Sequence, residues 1–224
     1  MRDNKLNIKP ITERKTAKEL VYHRLKSSIL DRVIDHKEIF TETTLAESLQ
    51  TSRTPIREAL ADLINEGLVV HIPRTGYKVR EVTENEMEQI IFLRKSIELY
   101  GVRVLTEKID QQKLEKLYDI LSKQEETIED SDNIAFIKLD QLFHKEILHL
   151  ADLHFLSKIF SELYNLVRLM SHEALIKKGR HKDVVHEHLA ILEAIASGDP
   201  ELAAKTMDDH LTITVNIVKD LRKR

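Results

Sequence analysis

The 224-residue chain contains no cysteine, which excludes disulfide bonds and metal sites built on thiolates. It has no apolar run near the roughly 18 residues that a membrane helix needs, and its polar N-terminus does not open like a signal peptide. We therefore expect a cytoplasmic protein with no membrane partner. Hydrophobic residues make up 42% of the chain and charged residues 33%, which is ordinary for a globular protein with a real core.

The net charge of −3 argues at first against a nucleic-acid partner, but the charge is unevenly distributed. Residues 1–80 hold 15 Lys and Arg against 11 Asp and Glu, whereas residues 81–224 hold 20 against 27. The first part is therefore basic and the second acidic, and eight of the 11 histidines lie in the second part. A basic piece joined to an acidic one indicates two functions, of which only the first involves a polyanion.

The N-terminal part carries the elements of a winged helix-turn-helix. Residues 1–14 are polar and without period, and we interpret them as a flexible arm. Apolar spacing then predicts three helices, over residues 17–30, 41–50 and 53–66. β-branched runs on either side of a turn at Pro73–Gly76 predict a hairpin that extends to Val82. This order of elements indicates a winged helix-turn-helix over residues 15–82.

Local signals mark the ends of these helices. Thr41 or Thr44 can cap the second helix, and Thr44-x-x-Glu47 has the form of a capping box. The third helix is expected to end at Gly67. Its apolar stripe, which we expect to pack on the first helix, consists of Ile56, Leu60, Leu63 and Ile64.

The chain from Glu84 onward contains a single proline, and its apolar period is helical almost throughout. The period breaks near residues 109–112, 129–133, 152–154, 178–181 and 197–200. Five breaks predict six helices, the last of which is marked by Asp199 as its cap and Pro200 as its first residue. We therefore predict a mainly α protein with an all-helical bundle over residues 83–224.

A long string in the N-terminal part identifies a family. The segment Ser52-Arg53-Thr54-Pro55-x-Arg57-Glu58-Ala59-Leu60, continued by Asn65-Glu-Gly-Leu68, resembles the signature of the GntR superfamily of bacterial repressors. The resemblance runs through Gly76 and Val79 of the hairpin. It implies binding to double-stranded operator DNA.

The candidate DNA contacts are Ser52, Arg53, Thr54, Arg57, Arg74 and Gly76. The first four lie on one side of the second helix of the turn, which is the side that reaches major-groove edges and phosphates. Arginine can bind guanine O6 and N7 together, and Ser and Thr hydroxyls suit phosphates. Arg74 at the wing tip is expected in the minor groove or on phosphate, where Gly76 permits close approach. The alternative is that Arg53 and Arg57 form only a solvated face.

A second constellation lies in the histidine-rich part. Asp140 and His144 are four residues apart, on one helical face, and His188 and His210 follow on later helices. With the string Glu187-His188-Leu-Ala-Ile191-Leu-Glu-Ala194-Ile195-Ala-Ser-Gly198-Asp199, they resemble the FCD ligand-binding domain of the FadR subfamily of GntR regulators. By that resemblance the four side chains would bind one divalent metal. Zinc is favoured, with nickel, iron or manganese as alternatives.

Neighbouring polar residues are expected to lie outside this site. His149 is about half a helical rotation from Asp140, so it faces away. His186 and His188 cannot both point inward, and Glu187 is expected to point elsewhere. Arg94, in Leu93-Arg94-x-x-Ile97-Glu98, resembles an arginine of the family; it is either a partner for an acidic effector or one half of an ion pair with Glu98.

The resemblance implies a homodimeric repressor whose affinity for a palindromic operator is controlled by a small organic acid bound at the metal. Two alternatives stay open. In the first, the helical domain serves only dimerisation; in the second, it is a metalloenzyme whose metal activates water. No nucleophile–base set stands at suggestive spacing beside the ligands, so we expect no enzymatic activity.

Overall fold

The computed structural model describes residues 16–223, so the arm predicted at residues 1–14 lies outside the described residues. The chain divides into two compact units between Val79 and Arg80. The predicted division, between residues 82 and 83, falls three residues later. No helix within the described range is long and apolar enough to cross a membrane.

The first unit is a winged helix-turn-helix, as predicted. Its elements are α1 (Ala17–Leu30), β1 (Ile39–Phe40), α2 (Glu42–Ser48), α3 (Arg53–Asn65), β2 (Val69–Ile72) and β3 (Gly76–Val79). Strand β3 lies in the middle of the sheet and pairs antiparallel with both β1 and β2. The sequence does not predict β1, and the hairpin ends at Val79 instead of Val82.

A side-chain cap marks the start of α2. The Thr41 hydroxyl accepts a hydrogen bond from the Thr44 N–H, and the Thr44 hydroxyl accepts one from the Thr41 N–H. Thr41 is therefore the cap of α2, and the predicted capping box at Thr44-x-x-Glu47 is wrong. The physical reason is that a cap needs an extended backbone; Thr41 has one, with φ −121° and ψ 162°, whereas Thr44 already lies inside the helix.

The core of the unit is built on one face of α3, where Ile56, Leu60 and Leu63 are almost fully buried against α1. Ile64, predicted to share this stripe, is 37% exposed. Each step along a helix rotates the side chain by about 100°, so Ile64 leaves the face that Leu63 occupies.

The second unit is an all-α bundle, as predicted. Its helices are α4 (Glu84–Glu107), α5 (Gln111–Glu129), α6 (Asn133–Leu150), α7 (His154–Ala174), α8 (Arg180–Ala196) and α9 (Pro200–Arg222). The predicted breaks coincide with their connections, except that α7 ends at Ala174, four residues before the break predicted at 178. The Asp199 carboxylate accepts two backbone N–H groups at the start of α9, as predicted.

The bundle core is mostly apolar, with Val102, Leu117, Phe143 and Ile191 almost completely buried. A group of polar side chains nevertheless lies inside it: Arg94, Glu98, Gln124, His144, Arg180, His188 and His210. Burying charged and polar groups is costly unless they are paired with one another or with a ligand. These residues therefore mark the candidate site of the second unit.

Candidate metal centre and nucleic-acid interface

The four predicted metal ligands come together inside the bundle. Asp140 and His144 lie one turn apart on α6, His188 lies on α8 and His210 on α9. One carboxylate oxygen and three imidazole nitrogens, one from each residue, all lie within 4.8 Å of one another. The three histidines are buried and Asp140 is half-buried.

The spacing of these atoms suits a single ion. Two ligand atoms bound at about 2.1 Å lie about 3.4 Å apart at tetrahedral angles and at most about 4.2 Å apart on opposite sides of an ion, so a separation of 4.8 Å has to shorten by at least about 0.6 Å. His188 Nε2 and Asp140 Oδ1 are 3.6 Å apart, too far for a hydrogen bond and suitable for two ligands of one ion. His144 Nε2 and His188 Nε2 are buried without a hydrogen-bond partner among the described atoms. Buried nitrogens are normally partnered, so these lone pairs fit a metal.

The outer nitrogen of each imidazole faces an acceptor. His188 Nδ1 donates to Gln124 Oε1 on α5 at 2.9 Å, and His210 Nδ1 donates to Glu187 Oε2 at 2.7 Å. His144 Nδ1 contacts the Glu98 carboxylate on α4. An acceptor at Nδ1 keeps the hydrogen there and leaves the lone pair on Nε2. The rings of His188 and His210, whose Nδ1 atoms are hydrogen-bonded, are therefore held in the tautomer that leaves Nε2 free to bind a metal.

Electrostatics favour the same state. Burial lowers the pKa of His188 well below 6.5, and burial also lowers the pKa of His210, so both imidazoles are neutral. Burial alone would raise the pKa of Glu98, but Arg94 and His144 outweigh it and hold that pKa at about 2. Neutral imidazoles beside ionised carboxylates are the protonation state in which such side chains bind a divalent cation.

Arg94 forms the predicted ion pair and also borders the site. Its Nε donates to Glu98 Oε1 at 2.7 Å, and its Nη2 lies 3.4 Å from the Tyr164 hydroxyl. That hydroxyl in turn donates to Asp140 Oδ2 at 3.0 Å. The predicted ion pair with Glu98 is therefore present, and a chain of hydrogen bonds links Arg94 to a candidate metal ligand.

A second arginine, Arg180 at the start of α8, is 1% exposed. Its two terminal nitrogens donate to the Glu187 carboxylate, and Nη2 also donates to the Thr214 hydroxyl at 2.8 Å. The expectation that Glu187 points away is therefore wrong, because its carboxylate bridges Arg180 and His210. A small cavity is lined by Asp140, which is the one candidate metal ligand among its described wall residues, together with Arg94 and Arg180.

The candidate DNA-contacting residues of α3 lie on an exposed surface of the first unit. Ser52, Arg53, Thr54 and Arg57 are all exposed. Ser52 is the N-cap of α3, but its hydroxyl makes no capping hydrogen bond. Both arginines donate to the carboxylate of Glu42 at the start of α2: Arg53 Nη2 lies 2.8 Å from Oε2, and Arg57 Nη2 lies 3.0 Å from the same oxygen.

The wing places Arg74 at its exposed tip, with a φ of 63°. Gly76 has a φ of +148°, and a Cβ there would lie 2.5 Å from the carbonyl oxygen of Phe40. We expected a glycine at position 76 because it permits close approach to DNA. The structure adds a second reason, since a side chain there would not fit between the paired strands β3 and β1.

Comparison with known proteins assigns both units. The profile "Bacterial regulatory proteins, gntR family" matches residues 17–79, and the FCD domain matches residues 89–212. The chain is a GntR-family regulator with an FCD domain. The gluconate operon transcriptional repressor of Bacillus subtilis (strain 168) is 28% identical over 210 residues, which cover 90% of this chain and 84% of that protein. The regulator McbR of Escherichia coli (strain K12) is 28% identical, with 70% and 72% covered.

Solved structures share the fold of this GntR-family regulator. E. coli McbR/YncC has a TM-score of 0.77 at 22% identity and covers 92% of this chain and 99% of that one. A GntR regulator from Rhodococcus sp. RHA1 has a TM-score of 0.79 at 21% identity, with 91% and 97% covered. The matched families and relatives are transcriptional regulators, not enzymes.

The sequence analysis missed several groups that surround the candidate metal ligands of this regulator. Gln124 continues the buried stripe of α5 formed by Leu117, Ile120 and Leu121, so a polar residue on an apolar face was an available signal. Arg180 precedes Glu187 by seven residues, which places both on one helical face. Tyr164 carried no comparable signal.

Proposed function

We propose that this regulator is a cytoplasmic homodimeric repressor that binds a palindromic operator and releases it when a small organic acid binds at a metal in the FCD domain. The observation that carries the proposal is the Asp140, His144, His188 and His210 cluster, in which buried imidazole nitrogens face one another beside an arginine-lined cavity. A purely structural core would not leave such nitrogens without partners.

In this proposal residues 15–82 bind DNA and residues 83–224 bind the effector and form the dimer. Arg53 and Arg57 contact base edges in the major groove, while Ser52 and Thr54 contact phosphates. Arg74 and Gly76 bring the wing to the flanking groove. A dimer is required because one winged helix offers too small a footprint for tight specific binding. The kinship with a gluconate operon repressor supports repression.

Asp140, His144, His188 and His210 would hold the metal through one oxygen and three Nε2 atoms. Three imidazoles and a carboxylate suit zinc, nickel, iron or manganese, and of these zinc is the metal we favour. The bound metal supplies a Lewis acid that attracts a carboxylate. Gln124 and Glu187 hold the tautomers of His188 and His210, Glu98 lies beside His144, and Arg94 borders the space for the effector.

The test is a melting-temperature screen of full-length protein against small carboxylates, with and without zinc. A ligand that binds only the folded state raises the midpoint by mass action, by about 2.7 kcal/mol of stability at 100 times its Kd. We expect zinc to stabilise the wild type and a control variant at an exposed neighbour, His186→Ala, but not His188→Ala. One class of acid should stabilise the zinc-loaded protein further and weaken its binding to operator DNA.

An absence of any response to zinc and to every acid would contradict the metal-sensor function and leave the FCD domain as a dimerisation module. Light scattering separates that outcome from a failure of the dimer, because the dimerisation module still gives twice the monomer mass.

A further inference from the structure

The segment that joins the two units, residues 80–83, is held from within the second unit, and we call it the linker. It lies between the end of β3 at Val79 and the start of α4 at Glu84, and it forms neither helix nor strand. Val82 in the linker is buried. Its backbone carbonyl oxygen accepts a hydrogen bond from Arg222 Nη1 at 2.6 Å. The end of α9 therefore holds the segment through which the winged helix-turn-helix is attached.

Arg222 also joins α9 to α7. Its Nε and Nη2 atoms donate to the two carboxylate oxygens of Glu173, at 2.8 Å and 3.0 Å. A two-pronged pair fixes the plane of a guanidinium group as well as its position. The reach of Nη1 to the Val82 carbonyl therefore depends on the arrangement of α7 and α9, and the hold on the linker depends on it in turn.

Packing alone does not fix α9 against α7, because two small cavities lie in this part of the core. Their volumes are about 30 Å³ and about 20 Å³, and both are lined by Arg94 of α4, Ser171 of α7 and Thr214 of α9. The second cavity extends to Val218, one helical turn before Arg222. A void removes packing contacts that would hold its walls in place. The end of α9 is therefore free to shift relative to α7 unless another contact anchors the helix.

The candidate metal site provides such an anchor. His210 lies on α9, whereas the other candidate ligands lie on α6 and α8. Through one shared ion, the four residues would tie α9 to both of these helices. His210 precedes Arg222 by 12 residues, which is about 18 Å along one continuous helix. Because the backbone hydrogen bonds of a helix form an unbroken ladder, restraining α9 at His210 also restrains the guanidinium that holds Val82.

We propose that Arg222 couples the metal site to the linker: metal binding anchors α9, and Arg222 passes this restraint to residues 80–83 through the Val82 carbonyl. Arg222 is a positioning residue, since its hydrogen bonds go to Glu173 and Val82 and not to a candidate metal ligand or DNA contact. A restrained linker lowers the ordering cost of placing two winged helix-turn-helix units on a palindrome, so operator binding is tighter. The inference rests on the proposed function, because it assigns the route from the metal-loaded FCD domain to operator affinity.

The test is hydrogen–deuterium exchange of full-length protein, with and without saturating zinc, read at the linker amides. One of these, the Thr83 N–H, donates to Glu86 Oε2 at 3.0 Å and so exchanges when the linker opens. We expect zinc to slow linker exchange in the wild type by about 3-fold or more, because openings that displace α9 also release the metal. Zinc should also tighten binding to a selected operator, measured by fluorescence anisotropy.

Arg222→Gln removes the bridge between Glu173 and Val82. Loss of a hydrogen bond from a charged donor corresponds to about 10-fold or more in the opening equilibrium, so linker exchange should become faster by this factor. Zinc should no longer slow the exchange or tighten operator binding, while the zinc affinity of the variant, measured by competition with a chelator, stays unchanged. Lys219→Gln removes the same charge from the same last turn of α9, where it pairs with Glu88, and should keep the wild-type response to zinc.

Glu173→Gln provides a second variant, which also serves if Arg222→Gln does not fold. It keeps Arg222 but leaves one acceptor oxygen for two of its donors, so it should reduce the response of the linker to zinc. Zinc binding without a change in linker exchange in the wild type, or a wild-type response to zinc in folded Arg222→Gln, overturns this inference and leaves the metal sensor intact. A failure of the full-length protein to bind zinc overturns the proposed function and the inference with it.

Discussion

The Glu42 carboxylate and the Arg57 guanidinium form a two-pronged pair, in which Arg57 Nε lies 3.0 Å from Oε1 and Nη2 lies 3.0 Å from Oε2. Arg53 donates to the same carboxylate, and the Tyr77 hydroxyl of the wing lies 3.3 Å from Oε1. The hydrogen bonds from Arg57 and Arg53 hold the pKa of Glu42 at about 2, so the carboxylate is ionised at neutral pH. One side chain of α2 thus fixes both candidate base-reading arginines.

Glu42→Gln is expected to separate specific from non-specific DNA binding. Removing a negative charge strengthens the salt-dependent attraction to any DNA. Releasing Arg53 and Arg57 from their fixed orientation adds an ordering cost to specific binding. We expect the ratio of operator to non-specific affinity to fall about 10-fold or more, measured by fluorescence anisotropy on a selected operator and a scrambled duplex at one salt concentration.

The matched control is Glu47→Gln, which removes the same charge from an exposed position on the same helix. It should strengthen binding to both duplexes by a similar factor and keep their ratio. Equal behaviour of the two variants would show that Glu42 acts by charge alone and not by orienting the arginines.

Gln124→Leu is expected to weaken zinc binding about 10-fold to 100-fold, which is the usual effect of removing a group that orients a ligating histidine. The reason is that His188 Nδ1 loses its acceptor, so the ring is no longer held with its Nε2 lone pair toward the other ligands. Competition with a chromophoric chelator gives the zinc affinity. Gln112→Leu makes the same substitution at an exposed position of α5 and should leave that affinity unchanged; an unaltered affinity in Gln124→Leu would refute the role of the amide.

Gly76→Ala is expected to destabilise the wing. The φ of +148° is nearly restricted to glycine, and holding alanine in this conformation costs about 1–3 kcal/mol. The new Cβ would in addition collide with the Phe40 carbonyl oxygen. Hydrogen–deuterium exchange should show lost protection in β1 and β3. Gly179→Ala, at a φ of +84° with nothing within 4 Å of the new Cβ, provides a comparison and should cost only about 1–2 kcal/mol in its own unit. A smaller effect at Gly76 than at Gly179 would count against the clash.

Metal-stripped protein is expected to lose stability as the pH falls below about 6.5. Burial lowers the pKa of His188 and of His210 in the folded state, while the unfolded imidazoles have a pKa of about 6.5. At pH values between the lowered pKa of each folded imidazole and 6.5, the unfolded chain binds more protons than the folded one. The free energy of unfolding therefore rises with pH in this range, by about 1.4 kcal/mol per pH unit for each of the two histidines.

Urea denaturation of metal-stripped protein between pH 5 and pH 8 measures this slope. His188→Gln, whose amide can still hydrogen-bond to Gln124, removes one titrating group. It should therefore reduce the slope of the unfolding free energy against pH by about 1.4 kcal/mol per pH unit. Stability that is flat in pH over this range, or an unchanged slope in His188→Gln, would contradict the assignment.

The sequence by itself determined the helical framework and most of its limits. Local signals predict the limits of α1, the start of α9 at Pro200 and the change of apolar period at residue 83. They do so because caps, helix breakers and apolar spacing act within one or two helical turns. The pairing of Asp140 with His144 on one face is equally local. The inclusion of His188 and His210 in the same candidate site depended on the resemblance to a family, since they lie on other helices.

Only the tertiary structure decided which groups surround those ligands. Gln124 meets His188 because α5 packs against α8, and Glu187 meets His210 because α8 packs against α9. The role of Gly76 depends in the same way on β1, a two-residue strand too short to show a period. Contacts between residues distant in the chain depend on how whole elements pack. No periodic pattern in the sequence indicates which residue on another helix a polar side chain will hydrogen-bond to.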